Sequence, residues 1–173
     1  MRLLQGTPEE IASFLKLMGE EGAEPFDDAV AGAAADAVAE PTTWPGIEAL
    51  VRGRARSEEI AERVLAYLKG VLEIGGVEIE AGTSERTRDG LSDYVMVRDA
   101  GLRRFGAVAY VKAINAGLTL RLVPQDVADV DDPRIELRDV KAGHKYVVNC
   151  PLRDEETLDL ALQLTRRALA KVR

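Results

Sequence analysis

The chain of 173 residues has one cysteine, one histidine and one tryptophan, and aromatic side chains make up only 5% of it. A lone Cys150 excludes an internal disulfide and points to a reducing compartment, the cytoplasm. With a single histidine, His144, a zinc site built from several His or Cys ligands is excluded as well. A Ser-His-Asp triad would have to use His144 with a serine that the sequence does not place. Gly75-Gly76 is not followed by Lys-Ser or Lys-Thr, and neither glycine-rich nucleotide fingerprint is present. No apolar run approaches the roughly 20 residues that a membrane helix needs, and Met1-Arg2-Leu3-Leu4-Gln5-Gly6 lacks the apolar stretch of a signal peptide. These absences leave no legible catalytic set, no cofactor, no metal site and no membrane partner.

What is present is a folding chain with 46% hydrophobic residues, enough for one core. Its charge is uneven. Residues 1–50 carry two basic groups against ten acidic ones, whereas residues 51–173 carry 21 against 20, so the net −7 belongs to the first third. An acidic surface of that kind suits a basic protein partner and works against indiscriminate DNA binding, which draws its affinity from phosphate contacts.

The acidic part, residues 1–56, reads as a helical region. Thr7-Pro8-Glu9-Glu10 is a capping box with proline at the first helical position, and Ile11, Phe14, Leu15 and Met18 follow at helical spacing. A second helix is predicted from about Pro25 to Ala39, and a short one over Ile47 to Val51, after the break at Pro41 to Gly46. Trp44 in that break is expected to close a small core.

Residues 57–173 read as an α+β module. Ser57 followed by Glu58 and Glu59 starts a helix with Ile60, Ala61, Val64, Leu65, Leu68 and Leu72 inward, ending before Gly75. Strands are predicted at Val77 to Glu80, Asp93 to Arg98, Ala107 to Lys112, Leu118 to Val123, Ile135 to Arg138 and Lys145 to Cys150. The stretch Gly82 to Gly90 reads as an exposed, mobile loop, and Asp126 to Asp132 as a solvated acidic one. Alternation at Leu118, Leu120 and Leu122 means a sheet buried on one side, which needs a cover. The closing helix supplies it: Asp154 caps it, Leu158, Ala161, Leu162, Thr165 and Leu169 form the expected inner stripe, and Leu160, Leu164 and Ala168 widen it. Leu158, Leu162 and Leu169 are the expected core residues.

The run Leu118-x-Leu120-Arg121-Leu122 with Pro124 and Asp126, then Asp132-Pro133, Arg138-Asp139-Val140, Gly143-His144, a strand, and a leucine-rich helix after Asp154-Glu155-Glu156 resembles an uncharacterised bacterial family. It is the domain of unknown function labelled a "predicted transport protein", found also as a C-terminal module behind restriction-nuclease-like domains. The resemblance spans about residues 57–173 and implies an accessory role in bacterial defence or phage counter-defence. The transport label has no apolar span to support it.

The candidate binding residues are cations and rings. Arg52-Gly53-Arg54-Ala55-Arg56 precedes a helix, Arg103 and Arg104 lie downstream, and guanidinium forks suit phosphate or carboxylate. Trp44 and His144 complete the set. Glu78, Glu80, Asp93 and Lys112 are the residue types of a metal-dependent nuclease, at spacing that is not diagnostic. The expectation is a non-catalytic recognition module for a protein partner, with a nucleic-acid-binding or nuclease-associated domain as the alternative and a small-ligand-binding domain as a weaker one. A homo-oligomer is compatible with all three.

Overall fold

The computed structural model describes residues 42–101 and 107–173. The two helices expected before Pro41, and Arg103 and Arg104, lie outside the described residues. Within them the order is α1 (Trp44–Arg54), α2 (Glu58–Ile74), β1 (Val77–Thr83), β2 (Leu91–Asp99), β3 (Ala107–Lys112), β4 (Gly117–Leu120), a 3₁₀ turn (Pro124–Val127), β5 (Glu136–Leu137), β6 (Val148–Asn149) and α3 (Glu155–Val172). The fold is α+β, and all strand pairs of the six-stranded sheet β1-β2-β3-β4-β6-β5 are antiparallel.

Each helix starts where a side chain accepts from an otherwise unpaired N–H of the first turn. The Gly46 N–H donates to Thr43 Oγ1 at 3.4 Å, the Ile60 N–H to Ser57 Oγ at 3.3 Å, and the Thr157 N–H to Asp154 Oδ1 at 2.8 Å. The cap at Thr43 makes α1 longer than the short helix expected at 47–51. It sends Ile47, Leu50 and Val51 into the same core as the sheet.

Pairing across the sheet fixes which side chains share a face. Ile79, Val97, Ala109, Leu120 and Val148 are successive partners and form one row toward the helices. One residue along, Glu80, Met96, Tyr110, Thr119, Asn149 and Glu136 form a row on the opposite face. Val95, Val97, Val111, Leu118 and Leu120 are fully or almost fully buried beneath α2 and α3. Burying one such side chain stabilises by about 1.5–3 kcal/mol, so this face of the sheet anchors the fold.

The helices are rotated from the expected stripes because each packs on two neighbours. On α2 the buried residues are Ala61, Val64, Leu65, Tyr67, Leu68 and Val71, while Leu72 is 43% exposed. Contact with α3 turns Tyr67 and Val71 inward and Leu72 outward. On α3 the buried set is Thr157, Leu160, Ala161, Leu164, Thr165, Ala168 and Leu169. Leu158 and Leu162 are only partly buried, which corrects two of the three core assignments and keeps Leu169. Leu162 fills the space beside Gly70 of α2: its Cδ1 is 2.8 Å from where a Cβ on Gly70 would stand.

The loops also depart from expectation. Gly82 and Thr83 belong to β1, and the loop that follows is tied by Ser84 N–H to Gly90 O at 2.9 Å and Thr87 Oγ1 to Leu91 O at 2.6 Å. The acidic loop is clasped by cations. Arg167 donates to Asp129 at 2.5 and 2.8 Å, Lys171 pairs with Asp126, and Arg134 donates to Asp132 at 2.9 and 2.6 Å. Hydrogen bonds from Arg134 hold the Asp132 carboxyl down at about 2. Cys150 is buried beside β4, its N–H donating to Leu118 O at 3.0 Å, and burial pushes its thiol up to about 12.

Candidate functional site on the sheet face opposite the helices

All three described helices lie on one face of the sheet, so the row containing Met96, Tyr110 and Thr119 is left bare by them. Strand alternation puts Tyr94, Met96 and Arg98 of β2 and Tyr110 and Lys112 of β3 on this bare face, opposite Val95, Val97 and Val111. The result is a cleft of about 950 Å³. Its floor is Tyr94, Met96, Arg98, Tyr110 and Thr119, one end is Gly82 to Ser84 with Ser92, and the other is Arg138, His144 and Tyr146. A second depression of about 480 Å³ shares Arg138 and His144 and continues over Lys141 and Lys145.

Four rings run through the cleft in edge-to-face contact. Tyr94 and Tyr110 have centroids 6.4 Å apart at 87°, Tyr110 and Tyr146 5.1 Å apart at 64°, and Tyr146 and His144 6.1 Å apart at 67°. Edge-to-face pairs of this kind lock ring positions. Tyr146 is fixed at both ends: its hydroxyl donates to Ala107 O at 2.8 Å, and its N–H donates to His144 Nδ1 at 3.2 Å. Burial pushes the Tyr146 phenol up to about 12, so it stays neutral and serves as an anchor. Tyr94 is 42% exposed, with Lys112 Nζ 5.8 Å from its ring centroid.

The cations are held in place. Arg98 Nε lies 2.8 Å from Glu80 Oε2, although its N–H, shielded from solvent, is not aligned for a hydrogen bond. Arg138 Nη1 donates to Tyr146 O at 3.1 Å. Among the described residues no carboxylate lines the large cleft itself, Glu80 meeting Arg98 at its margin. At its end, a side chain on Gly82 would run into the Ser92 hydroxyl and come within 3.1 Å of Tyr94 O, so glycine is needed for β1 to pass this close to β2.

The cleft's hydroxyls are engaged elsewhere than with His144. Ser92 Oγ accepts from the Tyr94 N–H at 3.2 Å, and Ser84 Oγ accepts from the Arg86 N–H at 3.3 Å. The nuclease-type residues do not converge. Glu80 pairs with Arg98, Asp93 lies on the opposite face 3.8 Å from Arg54, and Lys112 is over Tyr94. Among the described residues, no three His, Cys, Asp or Glu side chains are grouped to hold a metal ion.

Of the candidate binding residues that are described, His144 alone lines this cleft. Arg52 is bound among Glu48, Glu58 and Glu62, and Arg54 Nη2 donates to both oxygens of Asp89 at 2.8 and 2.7 Å. Arg56 is exposed. Trp44 is half-buried at the start of α1, with Lys69 Nζ 5.8 Å from its ring centroid. Sequence reasoning passed over Tyr94, Tyr110, Tyr146, Arg98 and Arg138. A usable signal was there: large aromatic residues at the polar positions of alternating strands.

No family model, curated protein or solved structure matches the chain.

Proposed function

We propose that the protein is a non-catalytic recognition module whose working surface is the sheet face opposite the described helices, and that its partner is nucleic acid. One observation carries this reading. In a chain of net charge −7, a cleft of about 950 Å³ is lined, among the described residues, by four rings and two guanidiniums, of which Arg98 is paired with Glu80 and Arg138 donates to a backbone carbonyl. Rings offer flat surfaces to bases, and guanidiniums offer paired donors to phosphate. The protein partner expected from the acidic first 50 residues would engage a segment mostly outside the described residues, so the described surface favours the nucleic acid that stood as the alternative. The family resemblance supports an accessory role beside bacterial defence enzymes, and a lone buried cysteine supports a cytoplasmic setting; both belong to this proposal.

The test is fluorescence anisotropy with a labelled twelve-nucleotide oligonucleotide of mixed sequence at low salt. Micromolar binding is expected, weakened at least tenfold in Arg138→Glu with an unchanged melting curve. Absence of binding at low salt, or indifference to Arg138→Glu, would defeat the proposal.

A further inference from the structure

We infer that the nucleic acid taken by this face is a single strand of more than one nucleotide, held with its bases splayed apart on separate rings. The inference rests on the proposed nucleic-acid reading and adds the form of the ligand. It follows from the mutual angle of the rings. Tyr94 stands at 87° to Tyr110, and Tyr110 at 64° to Tyr146, so no two neighbouring rings offer parallel faces. Two bases lying flat on neighbouring rings therefore cannot remain stacked on each other. A duplex keeps its bases stacked and shows only groove edges and phosphates, whereas an unpaired strand can turn each base out onto its own ring.

The two ends of the ring row are its accessible ones. Tyr94 is 42% exposed and His144 is exposed, while Tyr110 and Tyr146 between them are half-buried. Tyr94 and His144 are separated along the row by the two intervening rings, at successive centroid steps of 6.4, 5.1 and 6.1 Å, so each end offers its own ring to a base. The basic residues follow the same direction. Lys112 stands beside Tyr94, and Arg138 near His144, with Lys141 and Lys145 beyond in the adjoining depression. A strand with a base at each end of the row thus keeps a cation beside both. The sugar is not distinguished by anything in the cleft, so DNA and RNA strands are both admitted.

Four labelled probes test this: a ten-residue thymidine strand, a ten-residue uridine strand, a ten-base-pair duplex and thymidine monophosphate. One or both strands should bind at least tenfold more tightly than the duplex and the mononucleotide. Tyr94→Ala should weaken strand binding about tenfold, and Tyr94→Phe should restore it, because the ring face and not the hydroxyl is used. Melting curves of both variants verify that the fold is kept. Equal binding of duplex and strand, or indifference to Tyr94→Ala while Arg138→Glu abolishes binding, overturns the inference and leaves the nucleic-acid reading standing. Binding of the mononucleotide as tightly as the strands also overturns it. No binding of any probe defeats both.

Discussion

Tyr67 brings a hydroxyl into the contact between α2 and α3, where the whole residue is buried and no water reaches it. Thr165 Oγ1 donates its only proton to Ala161 O at 2.7 Å, so the 2.7 Å bond between Tyr67 and Thr165 must have the phenol as donor. Burial raises the Tyr67 pKa far above the ordinary range, the direction that favours a donor. The pair is therefore unequal. Thr165→Val strands the phenol and should cost about 1–3 kcal/mol in urea unfolding, whereas Tyr67→Phe leaves Thr165 its carbonyl and should cost about 0.5–1.5 kcal/mol. The double variant should recover part of the Thr165→Val loss; strictly additive losses would refute the assigned direction. Leu164, 1% exposed, and the half-buried Leu162 make a second contrast. Leu164→Ala should cost about 2–5 kcal/mol and Leu162→Ala clearly less, the reverse of the ranking that helical periodicity suggested. Periodicity identifies a stripe but not its centre, because the centre depends on which neighbour the helix meets. Tyr67 was illegible for the same reason: its partner is 98 positions away.

At the scale of elements, the clasp between the acidic loop and α3 makes a prediction about pH. Burial alone would raise Asp126, but Lys171, the Val123 N–H and Arg167 together hold it below the usual range; Arg167 lowers Asp129, and Arg134 holds Asp132 at about 2. Carboxyls depressed in the folded state contribute stability that is fully present above their unfolded values near 4 and is lost as pH falls through the folded values. Stability should therefore decline between about pH 4 and about pH 2, and Asp132→Asn should flatten that decline. An unchanged slope in Asp132→Asn would show that Arg134 gives Asp132 no net advantage. The caps at Ser57 and Asp154 could be read from sequence because they act across three residues. The clasp could not, because Arg167 and Lys171 meet carboxylates about 40 positions earlier.

At the scale of the molecule, the α+β class and a sheet packed on one side by the described helices were legible because strand alternation is local, and the composition of the opposite face follows from the same alternation. The ring row was not, since Tyr146 joins Tyr110 through a loop whose path no periodicity describes. The charge asymmetry belongs to this scale. If nucleic acid binds, the carboxylates of the first 50 residues repel it at long range. Glu20→Gln with Glu21→Gln and Glu24→Gln should tighten oligonucleotide binding several-fold at low salt, an effect that fades as the Debye length shrinks to about 3 Å at 1 M. An unchanged affinity at low salt would show that this segment's charge is not felt at the site. One last feature supplies an instrument. Cys150 is fully buried and, with its thiol raised to about 12, is a poor nucleophile near neutral pH; as the chain's single cysteine, it can be labelled only when the sheet around it opens. The rate at which a maleimide reagent marks the native protein thus becomes a clock for opening, and a bound oligonucleotide that holds β3 and β4 together should slow it.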